Sequence, residues 1–358
     1  MKAHLLLAAA LAAAVLSPTA AAAPGLILGV DDDSLNWYAH TGSLLSIYGD
    51  LALGAVRVNV AWSPGESFPT GTARTELARV GAASRRIRVV LAVTGPATAP
   101  PVDAAGRASY CGFAANVVRV YPSIRDVAIW TEPNSATFWK PQQGAPAAYE
   151  ALLATCWDAL HAVAPGVNVI ATSSGHVKPA KWFAGLGAAY LASGRTRPIL
   201  DTFGPNVYPQ TSAEPPDATH AKGPIDEGDL DRLLAALKSA FGGTAQPLPG
   251  EDGVSVWYME DGFQTVPGGG RSLYSGVETD REPVTEDEEA AQLTAAVDLA
   301  YCQPDVGALF NFELRDDSSL SGWQSGLLRP DWSAKPAFVA YLQAVAAARE
   351  GAIACAPR

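Results

Sequence analysis

Positive charge is scarce in this sequence of 358 residues: 25 Lys and Arg stand against 36 Asp and Glu, a formal net charge of −11. A surface of that sign repels phosphate backbones and anionic lipid, so nucleic acid is excluded as a partner class, whereas a neutral polysaccharide feels no such field. Cysteine is also scarce, at 4; no two are close in sequence and none neighbours a His, which argues against a metal knuckle. His40, His161, His176 and His220 show no ligand spacing, so no metal is expected. A glycine-rich phosphate loop after the first strand-like run is missing, which disfavours a dinucleotide-binding open sheet, and no cofactor is expected. Beyond the N-terminus no apolar stretch is long enough to span a bilayer. There is no internal repeat, no low-complexity tail and no linker to a second module.

At the N-terminus, Lys2 and His4 precede the apolar run LLLAAALAAAVL and the small residues SPTAAAAP. That pattern predicts a secretory signal peptide over residues 1–23, cleaved near Ala23, and a monomeric mature chain of residues 24–358 outside the cytoplasm. An even number of cysteines in an exported protein predicts disulfides, with Cys111–Cys156 and Cys302–Cys355 as the preferred pairs.

Eight short runs rich in β-branched and aromatic residues follow: GLILGV, AVRVNVAW, RRIRVVLAVTG, DVAIWTEPN, VNVIATSSG, LDTFGPNVYP, VSVWYMEDG and VGALFNFEL. Nearly continuous apolarity marks strands buried on both faces. Helical patterns lie between them, clearest in PAAYEALLATCWDALHAVAP, DEGDLDRLLAALKSAF, TEDEEAAQLTAAVDLAYCQP and KPAFVAYLQAVAAARE. Thr285 with Glu288 reads as a capping box, while Pro165 and Pro304 stop their helices. Eight strands with intervening helices predict a closed α/β architecture, a single-domain (β/α)₈ TIM barrel, with a doubly wound open sheet as the alternative. The Gly- and Pro-rich stretches fall after strands, on the face where barrel enzymes place their sites.

Two of those strands end in a glutamate. Glu132 closes the fourth run, in DVAIWTEPNSATFW, and Glu260 closes the seventh, in VSVWYMEDGFQT. Carboxyls facing each other across a bound sugar suit glycosidic cleavage: one attacks the anomeric carbon while the other protonates the departing oxygen. Arg57 lies inside the apolar second run, where an unpaired charge is costly, so it demands a carboxylate partner, and Glu260 is a candidate. Asp31, Asp32 and Asp33 read as a solvated turn, or as a sugar- or cation-binding group. Trp62 and Trp139 lie just beyond strands that bear site candidates and could grip a sugar face. Glu313 and Asp316 are alternative nucleophiles.

This order of residues resembles glycoside hydrolase clan A, the retaining (β/α)₈ glycosidases, over essentially the whole mature chain. Thr131-Glu132-Pro133-Asn134 is similar to that clan's Asn-Glu-Pro at the end of strand four, and Glu260-Asp261-Gly262 to its strand-seven nucleophile. The resemblance implies that Glu132 is the acid/base and Glu260 the nucleophile, acting on an oligo- or polysaccharide. It implies further that Arg57 lies near the nucleophile, that Tyr208 hydrogen-bonds it, and that Asn206 stands where relatives often have His. Asn134 joins the substrate-binding set. Gly322 to Phe338 resembles the passage after strand eight. Two departures stand out. Thr131 replaces the Asn that binds the sugar 2-hydroxyl, and strand eight lacks the usual Trp, so stacking falls to Phe312 or Trp323. A carbohydrate-binding barrel without turnover and a transglycosylase are the rival readings.

Overall fold

The computed structural model describes residue 23 and residues 25–268, 270–280 and 282–356. The expected signal peptide lies, apart from Ala23, outside the described residues. Eight strands pair in parallel and in sequence order into a closed barrel: β1 (Ile27–Asp31), β2 (Ala55–Ala61), β3 (Arg88–Thr94), β4 (Asp126–Ile129), β5 (Asn168–Ser174), β6 (Thr202–Asn206), β7 (Ser255–Asp261) and β8 (Val306–Phe312). Each falls within or one residue beyond a run read as a strand, and the open-sheet alternative is overturned by the β1–β8 ladder that closes the ring.

Helices wrap the outside: α1 (Ser34–Trp37), α2 (Thr41–Asp50), α3 (Gly71–Ala83), α4 (Ala104–Val120), α5 (Ala145–Val163), α6 (Pro179–Ser193), α7 (Leu230–Phe241), α8 (Glu286–Tyr301) and α9 (Pro336–Glu350). The start of α8 shows how local chemistry sets a boundary. Thr285 Oγ1 accepts from the Glu288 amide at 3.2 Å while the Glu288 carboxylate accepts from the Thr285 amide at 2.7 Å, satisfying two donors the helix cannot use itself. No described helix is long and apolar enough to cross a membrane.

Strand periodicity sorts side chains into two cores. Val56, Val58 and Val60 of β2 point outward into the large strand–helix core, while Ala55 points inward. Inside the barrel, Ala55, Val90, Ala92, Ala128, Ile170, Trp257, Met259, Ala308 and Phe310 form a dry plug. Both expected disulfides are present. Cys111–Cys156 joins α4 to α5 across 45 residues of sequence, and Cys302–Cys355 fastens the chain after α9 to the end of α8 across 53. Loops of that length remove about 4 kcal/mol each of unfolded-state entropy.

Candidate active site

Above the plug, at the C-terminal ends of the strands, the barrel opens into a cleft of about 700 Å³ whose walls include Asn59, Thr131, Glu132, Ser174, Tyr208, Glu260, Phe312 and Trp323. All of these except Trp323, which lies between β8 and α9, come from the strands or from the residues just past their ends. On β2 the two-residue period puts Arg57 directly above the plug and Asn59 one layer higher.

Glu260 reaches the cleft through an irregularity. Trp257 and Met259 of β7 point into the plug, so strict alternation would turn Glu260 outward and Asp261 inward. The ladders to β6 and β8 instead shift register between Phe203 and Asn206 and between Tyr258 and Asp261. That bulge re-aims the next side chain: Glu260 lines the cleft and Asp261 is buried beside Glu227.

Around Glu260, Arg57 Nη1 donates to Oε1 at 2.5 Å and the Tyr208 hydroxyl to Oε2 at 2.9 Å. Arg57 is 1% exposed and also pairs with buried Asp31. Burial works against its charge, but the carboxylates of Asp31 and Glu260 hold the guanidinium above its ordinary value. Burial, then the Glu260 charge, push the Tyr208 phenol well up, so it stays a neutral donor.

Glu132 sits in a different environment. The chain leaves β4 through a turn in which Trp130 has φ 66° and Glu132 φ 36°, a left-handed backbone that side-chain-bearing residues rarely adopt. The Trp130 ring anchors this turn: it is fully buried, its indole N–H donates to the Phe138 carbonyl at 2.8 Å, and it lies so close to Gly95 that a Cβ there would stand 2.8 Å from it. Asn206, in register with Glu260 across β6 and β7, donates its amide to Glu132 Oε1 at 2.9 Å. Burial, reinforced by the nearby Glu260 charge, pushes the Glu132 carboxyl up to about 7, against the opposing pull of Asn206, Ser174 and Arg57.

The remaining sequence-based candidates divide. Phe312 and Trp323 do line the cleft, packed edge-to-face at 5.2 Å, with Trp323 lying 5.0 Å from Tyr208. Trp62 and Trp139 do not: at 2% and 1% exposed they pack against Tyr110 and Trp130 respectively. Asn134 is consumed in tying the strand ends together, donating to the carbonyls of Ser174 and Val177 and accepting from the Ser174 amide. Thr131 lines the cleft beside Glu132. Asp316 is fully buried and bonded by Tyr274 and Lys335, and burial lifts Glu313 to about 10; neither lines the cleft.

Reading from the sequence did not find Asp31 as the Arg57 partner, nor Asn59, Phe138 and His176 as cleft residues. The acidic triplet divides by strand parity: Asp31 pairs with Arg57, Asp32 accepts from Tyr48, and Asp33 lines the cleft. Among the described residues, Glu214, His220 and Asp226 form the group with metal-ligand proximity, in the loop between β6 and α7. There His220 already bridges Glu214 and Asp229 at 2.9 Å each, as a tether of that loop.

No family model matches the sequence, and a search of curated proteins finds no match. Solved structures do match in fold. A family 39 glycoside hydrolase from the gut symbiont Bacteroides cellulosilyticus superposes with TM-score 0.65 at 16% identity, over 90% of this chain and 63% of that one. A GH5_18 protein from Streptomyces cattleya, in complex with Manb1-4GlcNAc, gives 0.62 at 17%, over 93% and 83%. The Ignisphaera aggregans GH53 catalytic domain gives 0.59 at 13%, over 92% and 99%. This chain therefore spans under two thirds of the family 39 protein and nearly all of the GH53 domain. The structural neighbours are glycoside hydrolases on a parallel eight-stranded barrel, consistent with the clan A resemblance.

Proposed function

We propose that this chain is a secreted retaining glycoside hydrolase in which Glu260 is the nucleophile and Glu132 the acid/base. The observation that carries the reading is the contrast between two carboxyls in one cleft. Burial and a neighbouring charge favour a proton on Glu132, while a cation and a phenol both donate to Glu260. Carboxyls whose environments are pushed apart in this way divide the roles of acid and nucleophile between them.

In the first step a Glu260 oxygen attacks the anomeric carbon. The bond from that carbon to the leaving oxygen breaks, and the oxygen takes the Glu132 proton. Arg57, on Oε1, and Tyr208, on Oε2, hold the Glu260 carboxylate in line. Once esterified, Glu260 no longer carries the charge that raises Glu132, so the ionised form of Glu132 is favoured and is free to accept a proton. In the second step it takes a proton from water, the water oxygen attacks the anomeric carbon, and Glu260 is released with net retention. Phe312 and Trp323 offer apolar ring faces to the sugar. The signal-like N-terminus and two disulfides support action outside the cytoplasm.

A 2-fluoro aryl glycoside that traps the first intermediate tests the assignment. Peptide mass spectrometry is expected to find the sugar on Glu260; a label on any other residue overturns the nucleophile. Azide added to Glu132→Ala is expected to return a glycosyl azide of retained configuration, and an inverted product overturns the double displacement. Sugar transfer to a second sugar in place of water would appear as longer products in the same assay.

A further inference from the structure

Resting on the glycosidase reading, we propose that the reacting subsite takes a neutral sugar, that Asp33 and Asn59 are its hydroxyl-binding pair, and that uronic acids are excluded. The charges on the cleft wall carry this. Of the described residues that line it, Asp33, Glu260 and Asp280 bring carboxylates, Glu132 brings the carboxyl that holds a proton, and none is a Lys or Arg. The cation beneath, Arg57, is buried and already shared between Asp31 and Glu260. Recognition of a sugar carboxylate calls for a free guanidinium or ammonium, and this wall presents carboxylates in its place.

Asp33 and Asn59 form a unit. Asp33 Oδ1 accepts from the Asn59 backbone amide at 2.7 Å, while Asn59 stands one layer above Arg57 on the inward face of β2, with Oδ1 3.4 Å from Arg57 Nη2. Arg57 in turn holds Glu260. A ring whose anomeric carbon is at Glu260 therefore presents its hydroxyls toward this pair. Among the described residues Asp33 Oδ2 has one hydrogen-bond partner, Asn59 Nδ2 at 3.5 Å, and is an acceptor for a hydroxyl proton. Asn59 supplies a donor for the neighbouring oxygen. A ring carboxylate placed there meets like charge; at about 6 Å and an effective dielectric near 20 that disfavours binding by roughly 100-fold.

The test compares aryl β-glycosides of neutral pentoses and hexoses with the matching glucuronide and galacturonide, using the full protein, Asp33→Asn and Asp33→Lys. Neutral sugars are expected to lead the uronides in kcat/KM by roughly 100-fold. Asp33→Asn is expected to shrink that ratio about 10-fold, and Asp33→Lys to shrink it further. Asp33→Asn should also cost the neutral substrate roughly 10- to 100-fold, a loss that vanishes on the analogue lacking the contacted hydroxyl. A structural role would lower both substrates alike. Uronide preference, or a ratio unmoved by both variants, overturns the proposal while Glu260-dependent turnover leaves the glycosidase reading standing. If no glycoside turns over, that reading falls and calorimetry decides this one. Neutral oligosaccharide bound in preference to oligogalacturonate supports it; the reverse, or binding of neither, overturns it.

Discussion

Two regions share the inside of the barrel and obey opposite rules. The plug is apolar and closely packed, from Ala55 to Phe310, whereas the ring of side chains above it holds Asp31, Arg57 and Glu260 in one ion-paired set and Asn206 with Glu132 in a second, hydrogen-bonded one. The plug is built for stability, and each of its side chains loses free energy when exposed. The ring places charges where water is scarce and sustains them by mutual pairing, which leaves one carboxyl holding a proton and another facing a cation. Adjacent residues on β7, Met259 and Glu260, belong to different regions.

The largest effect that separates the regions is Glu260→Ala, expected to cost on the order of 10⁴-fold in kcat with melting temperature preserved or raised. Its neighbour should behave in the opposite way: Met259→Ala is expected to cost about 2–5 kcal/mol in urea unfolding and to leave kcat near the parent value at low temperature. Loss of activity in step with stability for both variants would erase the distinction.

Next in size is a pH-dependent stability at Glu132. Its folded-state pKa, about 7, is raised above the ordinary 4.5, so the native state retains a proton that the unfolded chain has released. The stability it contributes is present below about 4.5 and lost as pH rises to about 7. Glu132→Gln is therefore expected to stabilise the protein by roughly 3 kcal/mol at pH 8 and by little at pH 4, read from unfolding curves at both. The same variant should lose about 10²- to 10⁴-fold in activity on substrates with poor leaving groups. The smallest effect belongs to Asn206→Ala. Removing a donor that lowers the Glu132 pKa moves the alkaline limb of the kcat/KM profile upward and costs about 10-fold in rate. A limb that moves down reverses the assigned sign.

The plug and the outer helices were legible in the sequence because apolar periodicity reports directly on burial. All eight strands and the capping box at Thr285 follow from pattern, and an even cysteine count implies disulfides, whose preferred pairing the structure matches. The ring was legible in its residue types, since a charge such as Arg57 inside an apolar strand demands a partner. Depth along a strand was not. Trp62 and Trp139 look like rim aromatics because each follows a strand end, yet both are buried, packed edge-on against Tyr110 and Trp130. Asn134, which the resemblance places in the substrate-binding set, is held as a brace between strand ends. Strand alternation taken literally would have offered Asp261 to the cleft, because nothing in VSVWYMEDG announces a bulge.

That bulge makes the choice between two consecutive acids a matter of counting. Without it, simple alternation from Met259 would turn Glu260 away and bring the shorter carboxyl of Asp261 to the mouth in its place, about one methylene farther from a bound ring. The barrel thus carries a second acid one step out of frame, and the irregular pairing of this strand, more than any exchange of side chains, decides which of the two faces the cleft.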